Sequence, residues 1–328
     1  MSGSALPFSE DAEREHSTMT DRPKILLIGP GALGLFYTSR LADKAEIAVA
    51  ARSDYETAKA RGGYQIRSKQ LGDFFFRPRI LKAGVKPDFE PDYLFVCLKV
   101  TDGLDQPALC ADVVGKNTTI VIIQNGLGNE EPFRAAFPEN EIISTAAYLG
   151  ASRPEPGTVL HTDGGKLFFG EYPASVPQTE KLQWLADAFN AANIPTKIVS
   201  NVQEERWRKL LWNASFNPVS VLGGDADSAV MLSTDNAENL IRRLMLELCA
   251  IAESEGIHLP EQAVTDMIEY TRAFAAYKPS MLQDFNAKRP LEVESIVGSP
   301  VKIARKNGVP APMLETVYAL MRLITRKK

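Results

Sequence analysis

One glycine pattern constrains this chain more than any other feature. Lys24–Ile28 (KILLI) is a short apolar run, and Gly29-Pro30-Gly31-Ala32-Leu33-Gly34 follows it without a break. A short apolar run closed by glycines reads as a buried parallel strand. Ala32–Ala42 then carries a helical pattern and Glu46–Ala51 (EIAVAA) reads as a second strand, giving one βαβ unit. In that context GxGxxG gives each glycine its own task. Gly29 permits the tight turn, Gly31 lets a pyrophosphate approach the backbone, and Gly34 lets the helix pack closely on the strand. The anion meets the free amides at Ala32 and Leu33 and the positive end of the helix. Taken alone the motif is weak, and the plain alternative is a tight strand–helix turn that holds nothing.

The end of the second strand bears on which dinucleotide this would be. NAD sites place Asp or Glu there to hold the ribose hydroxyl. This chain reads Ala50-Ala51-Arg52-Ser53, and no carboxylate occurs before Asp54. Arg52 suits a charge-assisted contact to a 2′-phosphate, so NADP is expected over NAD. A solvated loop arginine is the competing reading. Lys99 ends the apolar run YLFVCLK, at the cleft side of such a sheet, where it adds positive charge near the phosphates or is an ordinary strand-end lysine. Asn125, in Gln124-Asn125-Gly126-Leu127-Gly128, follows another apolar run. Its amide reaches nicotinamide or substrate, or else serves only the turn.

Further strands are expected at Tyr93–Leu98, Thr119–Ile123 and Glu141–Ala146, with a short helix at Pro132–Ala136. Thr158–His161 and Lys166–Gly170 read as a hairpin around Asp163-Gly164-Gly165. Lys181–Ala192 reads as a helix and Thr196–Val199 as a last strand. After about Ser200 the pattern is almost wholly helical, as at Leu240, Leu244, Leu248 and Ile251. The expected fold is α/β, an N-terminal Rossmann-type dinucleotide-binding domain with a C-terminal all-helical domain. Residues 1–22 read as an irregular leader without the features of a secretory signal, with Met19 as an alternative start. Residues 23–200 are the cofactor domain and 201–328 the helical domain, with ligand chemistry in the cleft between them.

Composition narrows the function. With a formal charge of −4 the chain has no global basic field for nucleic acid or anionic lipid. No apolar run reaches the roughly 20 residues that a membrane helix needs. Cys97, Cys110 and Cys249 are scattered in apolar surroundings, as buried free thiols in the cytoplasm would be, and nothing resembles a metal-binding cluster.

The second informative stretch is Glu204–Pro218 (EERWRKLLWNASFNP). Lys209, Asn213 and Asn217 are spaced by four and share one helix face. Charged groups are seldom fully buried without partners, so a lysine on a mostly apolar helix, followed by two amides, suggests a cleft. A cleft-facing ammonium can donate a proton to a carbonyl oxygen as hydride reaches its carbon, while the amides orient the carbonyl. A lysine snorkelling from an amphipathic helix is the alternative. Pro218 disfavours helical geometry at Asn217. Of the three histidines, His16 lies in the leader and His258 in a helix-end loop. His161 is the only rival proton donor.

Together these residues resemble the ketopantoate reductase (2-dehydropantoate 2-reductase) family over nearly the whole chain after Arg22. The anchors are GPGALG at 29–34, LK at 98–99, QNGLG at 124–128, ERWRKLLWNASFNP at 205–218 and PSMLQD at 279–284. The resemblance implies a Rossmann domain plus a helical domain, often as a homodimer. It implies hydride transfer from NADPH to the 2-keto carbon of ketopantoate, giving pantoate for pantothenate and coenzyme A synthesis. By the same resemblance Lys209 is the general acid, Glu292 the carboxylate supporting it, and Asn213, Asn217 and Ser280 contact substrate. Asn125 bridges cofactor and substrate, and Arg52 and Lys99 bind phosphate.

One stretch departs from the family pattern. Members of this kind carry TEID…NG after the SMLQD segment, where this chain has Leu291-Glu292-Val293-Glu294 and Val297-Gly298. The glutamate remains, but Thr, Asp and Asn are replaced near the expected pocket, which opens the reading of a reductase for a different 2-oxo acid. A non-catalytic NADP-sensing protein is the third reading.

Overall fold

Alternate residues of the apolar runs end on opposite faces of one sheet, so those runs are continuous rather than alternating. Ile25 and Leu27 pack on one face and Leu26 on the other; Tyr93 and Phe95 oppose Leu94 and Val96 in the same way. The computed structural model describes residues 22–174, 178–273 and 276–326. Most of the leader, with His16 and Met19, lies outside them.

The strands are β1 (Lys24–Ile28), β2 (Glu46–Ala51), β3 (Tyr64–Ser68), β4 (Phe74–Phe76), β5 (Arg79–Lys82), β6 (Tyr93–Val96), β7 (Thr119–Ile122), β8 (Ile142–Ser152), β9 (Thr158–Glu171) and β10 (Thr196–Ile198). Helices α1 (Ala32–Arg40), α2 (Tyr55–Arg61), α3 (Gln106–Cys110), α4 (Glu131–Ala136) and α5 (Glu180–Ala191) are interspersed. Six neighbours run parallel in the order β5-β2-β1-β6-β7-β8. That is the doubly wound order, which reverses between β1 and β6 and holds ligands outside the carboxyl ends of those strands. Beyond β8 the sheet continues through antiparallel β9 to β3 and β4, with β10 also on β9.

The second part is helical: α6 (Val202–Leu222), α7 (Ser228–Met231), α8 (Asp235–Ser254), α9 (Glu261–Arg272), α10 (Ser280–Asn286), a π turn at Glu294–Gly298, α11 (Ser299–Asn307) and α12 (Pro312–Thr325). Leu244, Leu248 and Ile251 of α8 are fully buried in its core with Leu210, Leu211 and Phe216 of α6. Among the described residues no helix is long and apolar enough to cross a membrane.

Three expectations need correction. Thr158–His161 and Lys166–Gly170 are not two arms of a hairpin but parts of the single strand β9. Gly164 (φ +76°) and Gly165 (φ +130°) are accommodated by register shifts against β8, between Tyr148 and Leu149 and again between Gly150 and Ala151. The chain instead turns between Ser152 and Thr158, through Pro154, Pro156 and Gly157. Strands β3, β4 and β5 are absent from the sequence reading, because short segments with weak alternation are stabilised only by their neighbours. Finally, α6 runs through Pro218 and keeps Asn217 on the helix. Proline removes one N–H there but does not end the helix, since buried packing on both sides outweighs the lost bond.

The two parts meet at a buried ion pair. Arg206 of α6 lies 3.2 Å from Glu130, and the two side chains are 2% and 0% exposed. Arg206 also donates to the carbonyls of Gly126 (2.7 Å) and Thr145 (3.1 Å), and Ser144 donates to Glu130. Beside it, Gly126 (φ +85°) abuts the backbone of Ser295 so closely that a Cβ would overlap the Ser295 carbonyl. The Leu127 amide donates to that carbonyl at 3.0 Å, and Ser299 Oγ donates to the Leu127 carbonyl at 3.0 Å. Breaking a buried pair strands a charge at a cost of about 3–5 kcal/mol. Glu130→Gln is therefore expected to lower unfolding stability by about 3 kcal/mol in urea titrations; a loss below about 1 kcal/mol, the range of exposed pairs, would show that the seam does not depend on it.

Candidate active site

The glycine loop stands where the strand order reverses. A Cβ on Gly29 (φ +83°) would lie 2.5 Å from the Leu98 amide nitrogen and 2.6 Å from the Cys97 carbonyl carbon, so only glycine lets β1 turn beside the end of β6. A Cβ on Gly34 would lie 2.8 Å from Leu27 Cδ1, which explains the tight seating of α1 on β1. Over Gly31 the nearest such atom, the Gly29 carbonyl oxygen, is 3.9 Å away, so the backbone there is open to a ligand. Helix α1 starts with no side-chain cap and no acidic residue in its first turn. Its free amides at Ala32 and Leu33 suit a pyrophosphate, and the residues present fit a dinucleotide.

Arg52 follows β2 directly, is exposed, and makes no hydrogen bond or ion pair among the described residues. Lys99 is elsewhere. Its ammonium is paired with Asp284 of α10, which also accepts from Arg289 Nε at 2.8 Å. Because β6 flanks β1 on the side opposite β2, Lys99 and Arg52 stand on different sides of the glycine loop. Lys99 faces the seam between the two parts, near Glu292.

Lys209 Nζ donates to Asn125 Oδ1 at 2.8 Å, which joins α6 to the loop after β7. The ammonium also lies 5.9 Å from the ring centre of Tyr148 on β8. Burial, then the nearby Arg206 cation, lowers the Lys209 pKa to about 8, against the pull of Glu292. Glu292 Oε1 accepts from the Val100 amide at 3.1 Å. Burial raises its pKa, while that amide, Lys99 and Asn125 oppose the rise. The Asn125 loop is braced from below, where Asn129 Nδ2 donates to the Asn125 carbonyl at 2.9 Å.

Asn213 and Asn217 continue the Lys209 face of α6. Both are buried, and neither polar atom of the Asn217 amide has a partner among the described residues. A buried amide left without partners costs free energy, so Asn217 suits a polar ligand. The adjoining stripe is occupied differently: Trp212 and Phe216 stack at 5.1 Å, and Trp212 Nε1 donates to Thr271 at 3.1 Å. Ser280 is exposed at the start of α10.

His161 is not part of this cluster. Its ring is buried, with Nδ1 2.8 Å from Ser68 Oγ and Nε2 3.2 Å from the Gly164 carbonyl, and it packs on Phe36 of α1. Burial lowers its pKa, and with both nitrogens engaged it serves the packing beneath α1. The cysteines are unpaired, and burial pushes Cys110 up to about 12 and Cys249 up to about 11, which favours their protonated form.

Of the departures at 291–297, Glu294 points away from the Lys209 cluster, whereas Leu291 directly precedes the Glu292 of that cluster. Glu294 accepts from Tyr318 (2.7 Å), Lys302 (2.8 Å) and Arg322 (3.0 Å), so it faces α12 and the surface. Val297 is fully buried in the helical core and Leu291 packs against it. Sequence reasoning also missed residues. Arg206 was visible three positions before Lys209, on the same helix, but nothing local marked Glu130 as its partner. Asp284 lies within PSMLQD, where nothing local marks it as the partner of Lys99.

Comparison with known proteins agrees with this arrangement. Residues 25–174 match the model of ketopantoate reductase PanE/ApbA, and residues 201–325 match that of its C-terminal domain. A 2-dehydropantoate 2-reductase of Nostoc sp. is 30% identical over 92% of this chain and 95% of its own length. The crystal structure of 2-dehydropantoate 2-reductase from Methylococcus capsulatus superposes with a TM-score of 0.84 at 42% identity, covering 93% of this chain and 98% of that one. A D-mandelate dehydrogenase solved with NADH and anilino(oxo)acetate shares the fold at a TM-score of 0.82 and 20% identity, covering 92% and 97%. With the doubly wound sheet, the glycine crevice and the lysine–asparagine–glutamate cluster in place, the chain belongs to the ketopantoate reductase family.

Proposed function

We propose that this chain reduces ketopantoate to pantoate with NADPH, the step that serves pantothenate and coenzyme A synthesis. The observation that carries the reading is the Lys209–Asn125 hydrogen bond, made across two segments beside the glycine crevice and flanked by Glu292. Gly29, Gly31, Ala32, Leu33, Gly34 and Arg52 would hold NADPH, which when bound would supply the hydride for C2 of the 2-oxo acid. Lys209 gives its proton to the developing C2 alkoxide and is left neutral, to be reprotonated from solvent. Burial has already weakened its hold on that proton, which suits a general acid near neutral pH. Glu292 offsets part of the ammonium's desolvation and keeps it charged. Asn125 fixes the direction of the Lys209 N–H, while Asn213, Asn217 and Ser280 hold the polar groups of the substrate. Three unpaired cysteines suit a reducing, cytoplasmic compartment, and a homodimer is the assembly the family implies.

Since Glu294 faces away from the cluster, the departure at that position gives little reason to change the substrate. A panel of branched and aromatic 2-oxo acids is expected to give its highest kcat/KM with ketopantoate. A higher value for another acid would reassign the substrate and keep the chemistry.

Lys209→Ala is expected to lower kcat about 10²–10⁴-fold while NADPH still binds, as read by fluorescence titration. Normal turnover in this variant would remove Lys209 as proton donor, and no turnover in the wild type would favour the sensor reading. The pH dependence has a fixed sign. Reduction needs the charged lysine, so its rate holds below pH 8 and falls as pH rises through about 8, a limb that Lys209→Ala lacks. For the cofactor, Arg52→Asp is expected to weaken NADPH relative to NADH about tenfold or more. An unchanged ratio of dissociation constants would sink the phosphate role of Arg52.

A further inference from the structure

Two residues past Arg52, in the turn from β2 into α2, Asp54 is 3% exposed. Its Oδ2 accepts from Arg153 Nη2, and its Oδ1 is buried with no partner. It precedes the first residue of α2 yet makes no capping hydrogen bond, so the helix does not need this carboxylate. Arg153 arrives from the far end of β8, and its Nη1 donates to the Pro30 carbonyl at 2.8 Å, inside the glycine loop. One half-buried guanidinium thus ties together the glycine loop and the β2–α2 turn, the two segments that flank the adenosine ribose in a doubly wound dinucleotide site.

A carboxylate close to the end of the second strand is the group that NAD sites use to hold ribose hydroxyls. Left unpaired here, it would accept from those hydroxyls and repel a 2′-phosphate. The Asp54–Arg153 pair carries no net charge, and Oδ2 is directed into the protein. The planar fork of arginine serves a carboxylate and a carbonyl at once, which a lysine does less well.

We propose that Arg153 is a specificity-determining residue: by holding Asp54 in an ion pair, it withdraws the one carboxylate that would favour NADH and leaves Arg52 free to face the 2′-phosphate. The inference deepens the NADPH reading and rests on it.

The test compares wild type, Arg153→Gln, and Arg153→Gln combined with Asp54→Asn. NADPH and NADH are titrated separately into the full chain, with binding read by protein fluorescence and folding by circular dichroism. Arg153→Gln is expected to weaken NADPH roughly tenfold or more while NADH holds or tightens, since a bare carboxylate then faces the phosphate. Adding Asp54→Asn is expected to restore most of the NADPH affinity. Equal weakening of both cofactors, or no recovery in the double variant, would overturn the proposal and leave Arg153 as a brace for the glycine loop. Should Arg153→Gln fail to fold, Arg153→Lys serves instead. Its looser grip on Asp54 is expected to lower the NADPH preference severalfold, with recovery on adding Asp54→Asn, and an unchanged preference overturns the proposal. A wild type that prefers NADH refutes the cofactor reading itself. A wild type that prefers NADPH, with the same preference in Arg153→Gln, refutes only the role of Arg153.

Discussion

The ion pair between Arg206 and Glu130 is the contact on which the arrangement of the site depends. Its charges are almost fully removed from water, so neither can be left alone without a penalty of several kcal/mol. The guanidinium also holds the carbonyls of Gly126 and Thr145, so a single side chain of α6 fixes the loop after β7, strand β8 and the helix itself in one geometry. Lys209 lies one turn further along that helix and Asn125 one residue before Gly126. Their 2.8 Å hydrogen bond therefore follows from where Arg206 sits. The same cation is second to burial in lowering the lysine pKa, which joins the support of the site to its proton chemistry.

The opposite end of the crevice is governed by backbone approach rather than by charge. Gly29 lets β1 turn against the chain leaving β6, and Gly34 seats α1 on β1, so the helix N-terminus is aimed by steric contact alone. Charged groups then sort themselves around this frame. Arg52 is free on the β2 side, whereas Lys99 on the β6 side is held by Asp284 and so belongs to the seam with the helical part. Two cations that look equivalent in sequence have different surroundings because the strand order separates them.

What could be read from sequence was local. The glycine pattern, the strands β1, β2, β6 and β7, and the four-residue spacing of Lys209, Asn213 and Asn217 each depend on neighbours a few positions apart. What could not be read depends on partners far along the chain. Glu130 and Arg206 are 76 positions apart and Asp54 and Arg153 are 99 apart. No periodicity marks either pair. Asp163-Gly164-Gly165 looked like a turn because turn chemistry and bulge chemistry use the same residues, and only the partner strand β8 distinguishes them. The departure at Glu294 reads as a change of substrate pocket for a similar reason, since sequence proximity to Glu292 says nothing about which way a side chain faces around a π turn.

The backbone contact between Gly126 and Ser295 bears on how such a protein can change over evolutionary time. The Asn125 loop is covalently part of the sheet domain, yet its shape is moulded by the helical domain, down to the carbonyl that a single methyl group would strike. Half of the reacting cluster is thus encoded on one side of the seam and given its form by the other. A helical domain grafted from a distant relative would have to bring a compatible backbone at 295 and a cation at 206, so the side chains that line the cleft are easier to exchange than the whole domain.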